Sequence, residues 1–551
     1  MSLFLSSMHV VVEPRSAPTA NDVLTTSIAV LFAMEPKMST PAIQSVCNVW
    51  PPWGIGLTVA FWCIATPVAS MAGSADTPPP NVLFIAIDDL RPALGCYGDT
   101  QAKTPNLDRL ASRGMTFTRA YCQQAVCSPS RLSLLTGRRP DSTRVWDLKS
   151  HFRKALPDAV TLPQFFRQAG YHCFGIGKIF HGSGKPSKDP ESWSVPPIYD
   201  VVRDPTLRYA TQHNLSGDGL KRDSTEAAVV PDDAYVDGLV CQAAVKFLRD
   251  RHTNPEPFFL GIGFRKPHLP FCAPKRYWQY YDRDQIELPQ HLSSPVDAPE
   301  LATRSWQELE GYRDIPADGK LSNSQIRTLH HGYYACVSYV DALVGQILSE
   351  LQLQRLADNT IVVVWGDHGF HLGEQGLWTK ANNYELATRV PLIVALPPQR
   401  STSTNQGTNS HPSGTCQQLV ELVDVYPTLV DACGFKVPDG LEGTSMLPLI
   451  KDPTRQWKRA VFSQFPRNIQ AHRHQSHGDV MGYAVRTEQF RYVEWLDWRS
   501  KQAVAVELYD LSSDEIEMTN VANAPKYDSV RQNHAEILKQ GWQASRPVRQ
   551  P

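Results

Sequence analysis

Residues 125–137, AVCSPSRLSLLTG, place a cysteine at the start of a stretch that is typical of a helix. A helix N-terminus carries partial positive charge, so it would stabilise negative charge at Cys127. Pro129 suits a first helical turn, and Arg131 adds a fixed cation. The pattern predicts a reactive side chain at position 127, in surroundings that stabilise negative charge. The alternative is an ordinary buried cysteine in front of a helix.

Two pairs of potential metal ligands follow apolar runs that are typical of strands. Asp88 and Asp89 come directly after NVLFIAI, and Asp367 and His368 come directly after TIVVVWG. Chemistry in such sheets lies beyond the carboxyl ends of the strands, so both pairs would project from one edge. One Asp-Asp pair after a strand is more typical of a turn or a cap. A second pair, together with Cys127, favours a divalent cation that bridges them.

The cysteine segment resembles the signature of the formylglycine-dependent sulfatases, C-x-P-x-R followed by apolar residues and T-G, in the alkaline phosphatase-like superfamily. Longer blocks are similar to the iduronate-2-sulfatases, from about residue 81 to residue 520. These blocks are NVLFIAIDDLRPALGCYGD, QQAVCSPSRLSLLTGRRPDSTR, KPHLPF, DHGFHLGEQGLW and MGYAVRT. The resemblance implies hydrolysis of sulfate esters, with the 2-O-sulfate of iduronate as the expected target.

The resemblance also implies the nucleophile and the metal. In these enzymes a separate maturation enzyme oxidises the cysteine, here Cys127, to formylglycine. The aldehyde hydrates, one oxygen attacks sulfur, and loss of a proton from the second hydroxyl expels sulfate, which divides one difficult displacement into two steps. Asp88, Asp89, Asp367 and His368 would bind Ca²⁺ together with residue 127. Many sulfatases carry Asn at the place of His368, whereas related phosphonate and phosphodiester hydrolases use His there with softer metals.

Four further cations belong to the site by the same resemblance, although each alone is typical of a solvated surface residue. Lys178 and His181 lie in GKIFH, His268 in RKPHLPF and Lys380 in LWTK. Lys178, His268 and Lys380 would bind sulfate oxygens, and one of them would protonate the leaving alcohol. His181 would take the proton whose loss expels sulfate, and Asp367 would assist the first deprotonation.

The expected sugar contacts depart from the animal enzymes. Phe370 stands where we expect Trp, close to the sugar, and His472, His474 and His477 stand where we expect lysines. Residues 188–231 and 141–153 would shape the rest of the pocket. The leading hypothesis is a sulfatase that acts on sulfated carbohydrate. A formylglycine-dependent phosphonate or phosphodiester hydrolase is the second hypothesis, and an inactive binding protein with an unconverted Cys127 is the third.

The elements that must position these residues are apolar strands alternating with helices. Strand-like runs cover residues 81–87, 258–263, 360–365 and 392–396, and helix-like stretches cover residues 106–113, 162–169, 234–249 and 324–351. This order predicts an α/β fold with a large, mostly parallel sheet between two layers of helices. We expect a catalytic domain over residues 78–440 and a smaller C-terminal subdomain over residues 441–551. The latter would hold a small antiparallel sheet and a terminal helix near residues 534–544.

The N-terminal 77 residues are interpreted as a leader, because the apolar run of residues 54–68 is followed by small residues. We expect cleavage near residues 69–75, export from the cytoplasm and no stable membrane insertion. A net charge of −1 argues against a nucleic-acid-binding surface. Outside the leader and Cys127, eight cysteines remain, which permits disulfides but predicts no compact disulfide framework.

Overall fold

The computed structural model describes residues 79–181, 189–199, 204–216, 222–251, 254–304, 306–398, 412–468 and 477–547. The expected leader with its cleavage zone, His472 and His474 lie outside these residues. Within the described part of the chain, no helix is long and apolar enough to span a membrane. The nine cysteines described are all unpaired, so the disulfides that the sequence permitted are not formed.

Eighteen strands are described. In chain order they are β1 (Asn81–Ile87), β2 (Met115–Phe117), β3 (Ala120–Tyr121), β4 (His172–Gly177), β5 (Thr225–Ala228), β6 (Phe258–Phe264), β7 (Phe271–Pro274), β8 (Thr360–Gly366), β9 (His371–Leu372), β10 (Trp378–Thr379), β11 (Arg389–Val390), β12 (Leu392–Ala395), β13 (Gly414–Cys416), β14 (Val420–Glu421), β15 (Val461–Arg467), β16 (Val480–Arg486), β17 (Phe490–Asp497) and β18 (Ala503–Asp510).

The α-helices within the described residues, again in chain order, are α1 (Pro105–Ala111), α2 (Cys127–Thr136), α3 (Pro140–Thr143), α4 (Leu162–Gln168), α5 (Gln212–Leu215), α6 (Val236–Arg251), α7 (Lys275–Trp278), α8 (Asn323–Leu353), α9 (Glu385–Thr388), α10 (Val425–Ala432), α11 (Leu447–Lys451) and α12 (Asp528–Ala544).

The large sheet has seven strands in the order β13-β2-β12-β8-β1-β6-β4. Strands β8, β1, β6 and β4 are mutually parallel, and β12 runs antiparallel to both β8 and β2. Because β13 is parallel to β2, β12 alone opposes the direction of the other six. The prediction of a mostly parallel sheet is confirmed, and the carboxyl ends of β1, β6, β4 and β8 meet at one edge.

Both faces of the sheet are buried, which explains its continuous apolar strands. On β1, Leu83, Ile85 and Ile87 pack into one core with α6 and α8. The alternate residues Val82 and Phe84 pack into a second core with α2, α4 and α10. Successive side chains of a strand point to opposite faces, so a strand between two helical layers must be apolar throughout.

The C-terminal part carries the expected antiparallel sheet, in the order β15-β16-β17-β18, with α12 packed against it. Buried ion pairs link this sheet to the part of the chain that contains the large sheet. Arg491 of β17 contacts both Glu385 of α9 and Glu517, and Arg486 of β16 lies 3.1 Å from Glu385. Glu421 of β14, which pairs with Arg139 at 2.7 Å, also accepts a hydrogen bond from the backbone N–H of Phe462 in β15 at 3.0 Å.

Candidate active site

Cys127 is the first residue of α2, a helix whose residues are all buried. No side chain caps the helix N-terminus, so the first backbone N–H groups of α2 remain for an anion. The Cys127 Sγ lies 3.3 Å from His368 Nε2 and 3.6 Å from Lys178 Nζ. The predicted reactive residue therefore stands at a helix N-terminus between a histidine and a lysine.

Arg131 lies one turn after Cys127 on α2 and contacts residues at the ends of three strands. Its Nη2 lies 3.1 Å from Asp88 Oδ1, which follows β1, and its Nε lies 2.8 Å from Asp367 Oδ2, which follows β8. It also donates to the carbonyl oxygens of Lys178 and Ile179, which follow β4. The guanidinium and both carboxylates are fully buried. Arg131 thus fixes the carboxylates rather than facing the solvent.

Asp89 adopts a strained backbone that aims its side chain into the site. Its φ of 60° lies in the left-handed region, which non-glycine residues adopt at a cost of about 1 kcal/mol. The Tyr333 hydroxyl, from α8, donates to the Asp89 carbonyl at 2.9 Å and accepts from the Arg91 N–H at 3.0 Å. Tyr333 therefore holds the turn after β1 in place.

The pairs Asp88–Asp89 and Asp367–His368 suit a divalent cation. Donor atoms of Asp88, Cys127, Asp367 and His368 all lie within 4.8 Å of one another, as do those of Asp88, Asp89, Cys127 and His268. The Asp89 Oδ1 is buried without a hydrogen-bond partner, a state that a metal bond would relieve. His368 Nδ1 lies 2.9 Å from the Gly369 carbonyl, which leaves Nε2 to face the site. A mainly carboxylate donor set fits a hard cation.

Three further basic side chains surround Cys127. Lys178 Nζ pairs with Asp88, and Lys380 Nζ lies 2.7 Å from Asp89 Oδ2 and 2.8 Å from Glu308 Oε2. His268 Nε2 lies 3.3 Å from Glu308 Oε1, while its Nδ1 lies 2.6 Å from the Leu269 carbonyl. The structure brings Lys178, His268 and Lys380 together around the carboxylates of Asp88, Asp89 and Glu308, in an arrangement that can bind a tetrahedral anion.

Burial and charge shift the pKa values of these groups in opposite directions. Burial disfavours the charged form of Asp88, but Lys178 and Arg131 outweigh it and hold the pKa of Asp88 well below its usual range. Burial raises the pKa of Asp89 to about 6, although Lys380 opposes the shift. Burial opposes charge on Lys380, yet Asp89 and Glu308 raise its pKa well above the usual value. Neighbouring carboxylates with such different pKa values are typical of functional sites.

The two histidines differ from the lysines, because burial keeps them neutral. Burial and the charge of Lys178 lower the pKa of His181 to about 3, and its Nδ1 is buried without a hydrogen-bond partner. Burial and the charge of Lys380 hold the pKa of His268 well below its usual value. Neutral histidines can accept a proton, which is the role expected for His181.

Phe370 differs from the expectation of a sugar contact. Its ring is fully buried, stacked on Tyr333 at 5.6 Å between ring centroids and packed edge-on against Phe271. The Lys380 Nζ lies 5.6 Å from its centroid, in a cation–π arrangement. The prediction of direct sugar binding by Phe370 is wrong for this structure, because its neighbours leave no ring surface for a sugar. Phe370 instead packs beneath Lys380.

One of the segments expected to shape the pocket, residues 141–153, lies beside the site. Leu148, in the loop of residues 141–153, packs against Val126 and Ala381, the neighbours of Cys127 and Lys380. His477 stacks on Trp498, with ring centroids 4.2 Å apart. One face of the His477 ring is therefore covered by Trp498.

Sequence reasoning missed Glu308, Tyr333 and Trp306. Glu308 contacts both His268 and Lys380, yet residues 300–311 carry neither a strand-like run nor a motif. Tyr333 lies inside the apolar pattern of α8, where an aromatic residue is typical of core packing. The aromatic side chain of Trp306, two residues before Glu308, gave no separate signal.

Comparison with known proteins gives two family matches. The protein-family model described as "Sulfatase" matches residues 80–435. A second family model, described as "N-sulphoglucosamine sulphohydrolase, C-terminal", matches residues 373–543. The chain is 33% identical over 536 residues to iduronate 2-sulfatase of Mus musculus, covering 86% of this chain and 96% of that relative.

Solved structures share the fold at lower identity. The phosphonate monoester hydrolase of Agrobacterium radiobacter is 22% identical, with a TM-score of 0.67, covering 84% of this chain and 95% of its own. A solved 2-O GAG sulfatase is 23% identical, with a TM-score of 0.63, covering 85% of this chain and 93% of its own. At these identities the similarity shows the fold alone.

Proposed function

Because the chain belongs to the sulfatase family and has the alkaline phosphatase-like fold of its structural neighbours, we propose that it removes sulfate from a carbohydrate with residue 127, as formylglycine, at the reacting centre. The observation that carries this proposal is the position of Cys127. It begins a buried helix and is enclosed by His368, Lys178 and the carboxylates that Arg131 holds.

Formylglycine would supply, as its hydrate, the oxygen that attacks sulfur and a second hydroxyl whose deprotonation releases sulfate. The side chains around residue 127 perform the remaining tasks. Lys178 and Lys380 bind sulfate oxygens and lower the cost of the charge that develops during transfer. His268 keeps its Nδ1–H on the Leu269 carbonyl, and protonation of its Nε2, which the negative charge of a bound sulfate favours, would let it bind a further sulfate oxygen and give that proton to the leaving alcohol.

His181 completes the proton transfers. It is neutral at physiological pH, because burial and Lys178 hold its pKa at about 3, and its Nδ1 accepts no hydrogen bond. We assign to it the proton of the second hydroxyl of residue 127. Asp367 assists the first deprotonation, and Arg131 holds the carboxylates of Asp88 and Asp367 in place.

We propose Ca²⁺ as the metal, held by Asp88, Asp89, Asp367 and His368 beside residue 127. It would supply positive charge that stabilises the reacting oxygen. The largely carboxylate donor set and the unsatisfied Asp89 Oδ1 support a hard cation. The nitrogen of His368 is the donor that suits calcium least.

The proposed substrate is a 2-O-sulfated iduronate or a similar uronic acid in sulfated polysaccharide fragments. The similarity to iduronate 2-sulfatase over most of both chains supports this choice. The proposal includes export of the protein and conversion of Cys127 by a maturation enzyme. The second candidate is a phosphonate monoester or phosphodiester hydrolase. It is favoured by the His368 donor and by the shared fold of the phosphonate monoester hydrolase.

The test begins with protein co-expressed with a formylglycine-generating enzyme. Mass spectrometry of the tryptic peptide that carries Cys127 should show loss of sulfur and gain of an aldehyde. Rates are then compared on 2-O-sulfated uronates, 6-O-sulfated hexosamines and an aryl phosphonate monoester. The proposal expects the highest kcat/KM on the uronates. Equal rates on both sulfated sugars would exclude the uronate assignment, and a preference for the phosphonate would exclude the sulfatase mechanism.

A further inference from the structure

The segment that carries Glu308, described over residues 300–304 and 306–311, reaches Lys380 and His268, and no motif or strand-like run marks it in the sequence. From it, Glu308 places one carboxylate oxygen 2.8 Å from Lys380 Nζ and the other 3.3 Å from His268 Nε2. The Glu308 side chain is 20% exposed, whereas that of Lys380 is 4% exposed. Glu308 therefore lies nearer the solvent than Lys380, on the side from which a substrate can approach that lysine.

Trp306 lies two residues before Glu308. Its side chain is 40% exposed, and the ring meets the ring of Phe465 edge-on at 6.4 Å between centroids. Phe465 is buried against Val126 and Ala381, which adjoin Cys127 and Lys380. The exposed part of the Trp306 ring is thus linked to the reacting centre through one layer of side chains.

The segment is fixed to the C-terminal sheet. Arg467 of β15 donates through Nε to the Leu301 carbonyl at 2.8 Å and through Nη2 to the Ala302 carbonyl at 3.2 Å. Arg304 donates to the Asn468 carbonyl at 3.0 Å. An element held in this way presents its side chains in defined positions, which is what recognition of a rigid sugar requires.

A bound sulfate changes the surroundings of Glu308. Sulfate oxygens compete with the carboxylate for Lys380 and His268, and two anions side by side repel each other. A half-buried carboxylate that loses its cations needs another hydrogen-bond donor. In a sugar sulfate, the hydroxyl on the carbon next to the ester is a donor close to the sulfate group.

We propose that Trp306 and Glu308 form the sugar subsite, in which the Trp306 ring packs on an apolar sugar face and Glu308 accepts a hydrogen bond from the hydroxyl next to the sulfate ester. This inference rests on the proposed function and narrows its substrate class. The substrate has a free hydroxyl beside the ester. A second sulfate or another anion at that carbon is repelled by Glu308.

The test compares enzyme variants on matched substrates. We use three forms of one 2-O-sulfated uronate: the 3-hydroxyl compound, its 3-deoxy analogue and its 3-O-sulfated analogue. A hydrogen bond to a charged group is worth about 10- to 100-fold in kcat/KM, so the wild type should favour the 3-hydroxyl compound over the 3-deoxy analogue by that factor. In Glu308→Ala the ratio should fall to about 1, and discrimination against the 3-O-sulfated compound should weaken.

The control is Glu300→Ala, which removes a carboxylate of the same segment whose side chain is 93% exposed. This variant should keep the wild-type ratio. Trp306→Ala should raise KM about fivefold, and Trp306→Phe should raise it less, because an aromatic face is retained. A Glu308→Ala variant that lowers all three rates equally overturns the proposal, since Glu308 would then only position Lys380 and His268. If the formylglycine-bearing wild type hydrolyses none of the sulfate esters, the proposed function fails instead.

Discussion

Replacement of Arg131 by methionine tests how the carboxylates of the site are held. The guanidinium and its partners Asp88 and Asp367 have no exposed surface, at contact distances of 3.1 and 2.8 Å. Methionine fills a similar volume but leaves two buried carboxylates without their shared cation. Removal of one member of a buried ion pair costs about 3–5 kcal/mol, because the remaining charge is uncompensated. We therefore expect Arg131→Met to lower the free energy of unfolding by about 3–5 kcal/mol in the presence of a chelator.

The assay is urea denaturation followed by tryptophan fluorescence, in chelator and in millimolar calcium. Calcium should reduce the loss, since a bound cation neutralises the carboxylates that arginine no longer pairs. Arg531→Met is the control. Its side chain is 38% exposed and pairs with Asp528 on the same helix, so about 0.5 kcal/mol or less is expected. A loss below about 1 kcal/mol for Arg131→Met in chelator would refute the reasoning, as would a loss that calcium leaves unchanged.

Three further predictions concern the nucleophile, the metal and acid stability. Cys127→Ala should abolish turnover but keep the wild-type circular dichroism spectrum and denaturation midpoint within error; an active variant would contradict the proposed nucleophile. Chelation should remove activity, and calcium should restore it better than zinc; restoration by zinc but not calcium would favour the phosphohydrolase alternative. The ion pair with Arg91 outweighs burial and lowers the pKa of Glu374 from 4.5 to about 2. The resulting stabilisation is fully present above pH 4.5 and is lost as pH falls through about 2. Glu374→Gln should therefore cost on the order of 3 kcal/mol at pH 7, and urea midpoints of variant and wild type should converge on acidification; a gap that does not change with pH would contradict this assignment.

The sequence predicted the strands that are buried on both faces with little error. The run 81–87 coincides with β1, and the runs at 258 and 360 begin where β6 and β8 begin. Such strands are continuous apolar segments between turn residues, a pattern that few other elements share. Strand direction was harder, because a strand covered on both faces has the same pattern whichever way it runs. The reversal of β12 therefore could not be read from LIVAL.

Edge strands and long-range contacts account for most of what was missed. β15 reads VFSQFPR, with polar residues and a proline that only an edge strand tolerates, and no clear alternation marks it. Glu308 comes from a segment without periodicity, and only the folded chain brings it to Lys380. Phe370 lies two residues after the proposed metal ligand His368, yet its burial depends on Tyr333 and Phe271, which come from other elements. Proximity along the chain did not indicate which side chain faces the substrate.

The conformation and burial of Asp89 lower the thermal stability of the protein, whereas the proposed reaction needs its carboxylate. The first cost is its left-handed backbone, and the second is its buried carboxylate, whose pKa burial raises to about 6. Asparagine would relieve the second cost, because its amide is uncharged, its oxygen can still accept a hydrogen bond from Lys380, and Glu308 still pairs with that lysine. Laboratory evolution that selects only for survival at high temperature is therefore expected to enrich this replacement and so to produce robust but inactive proteins. A selection for a durable enzyme of this kind needs turnover as a second criterion at every round.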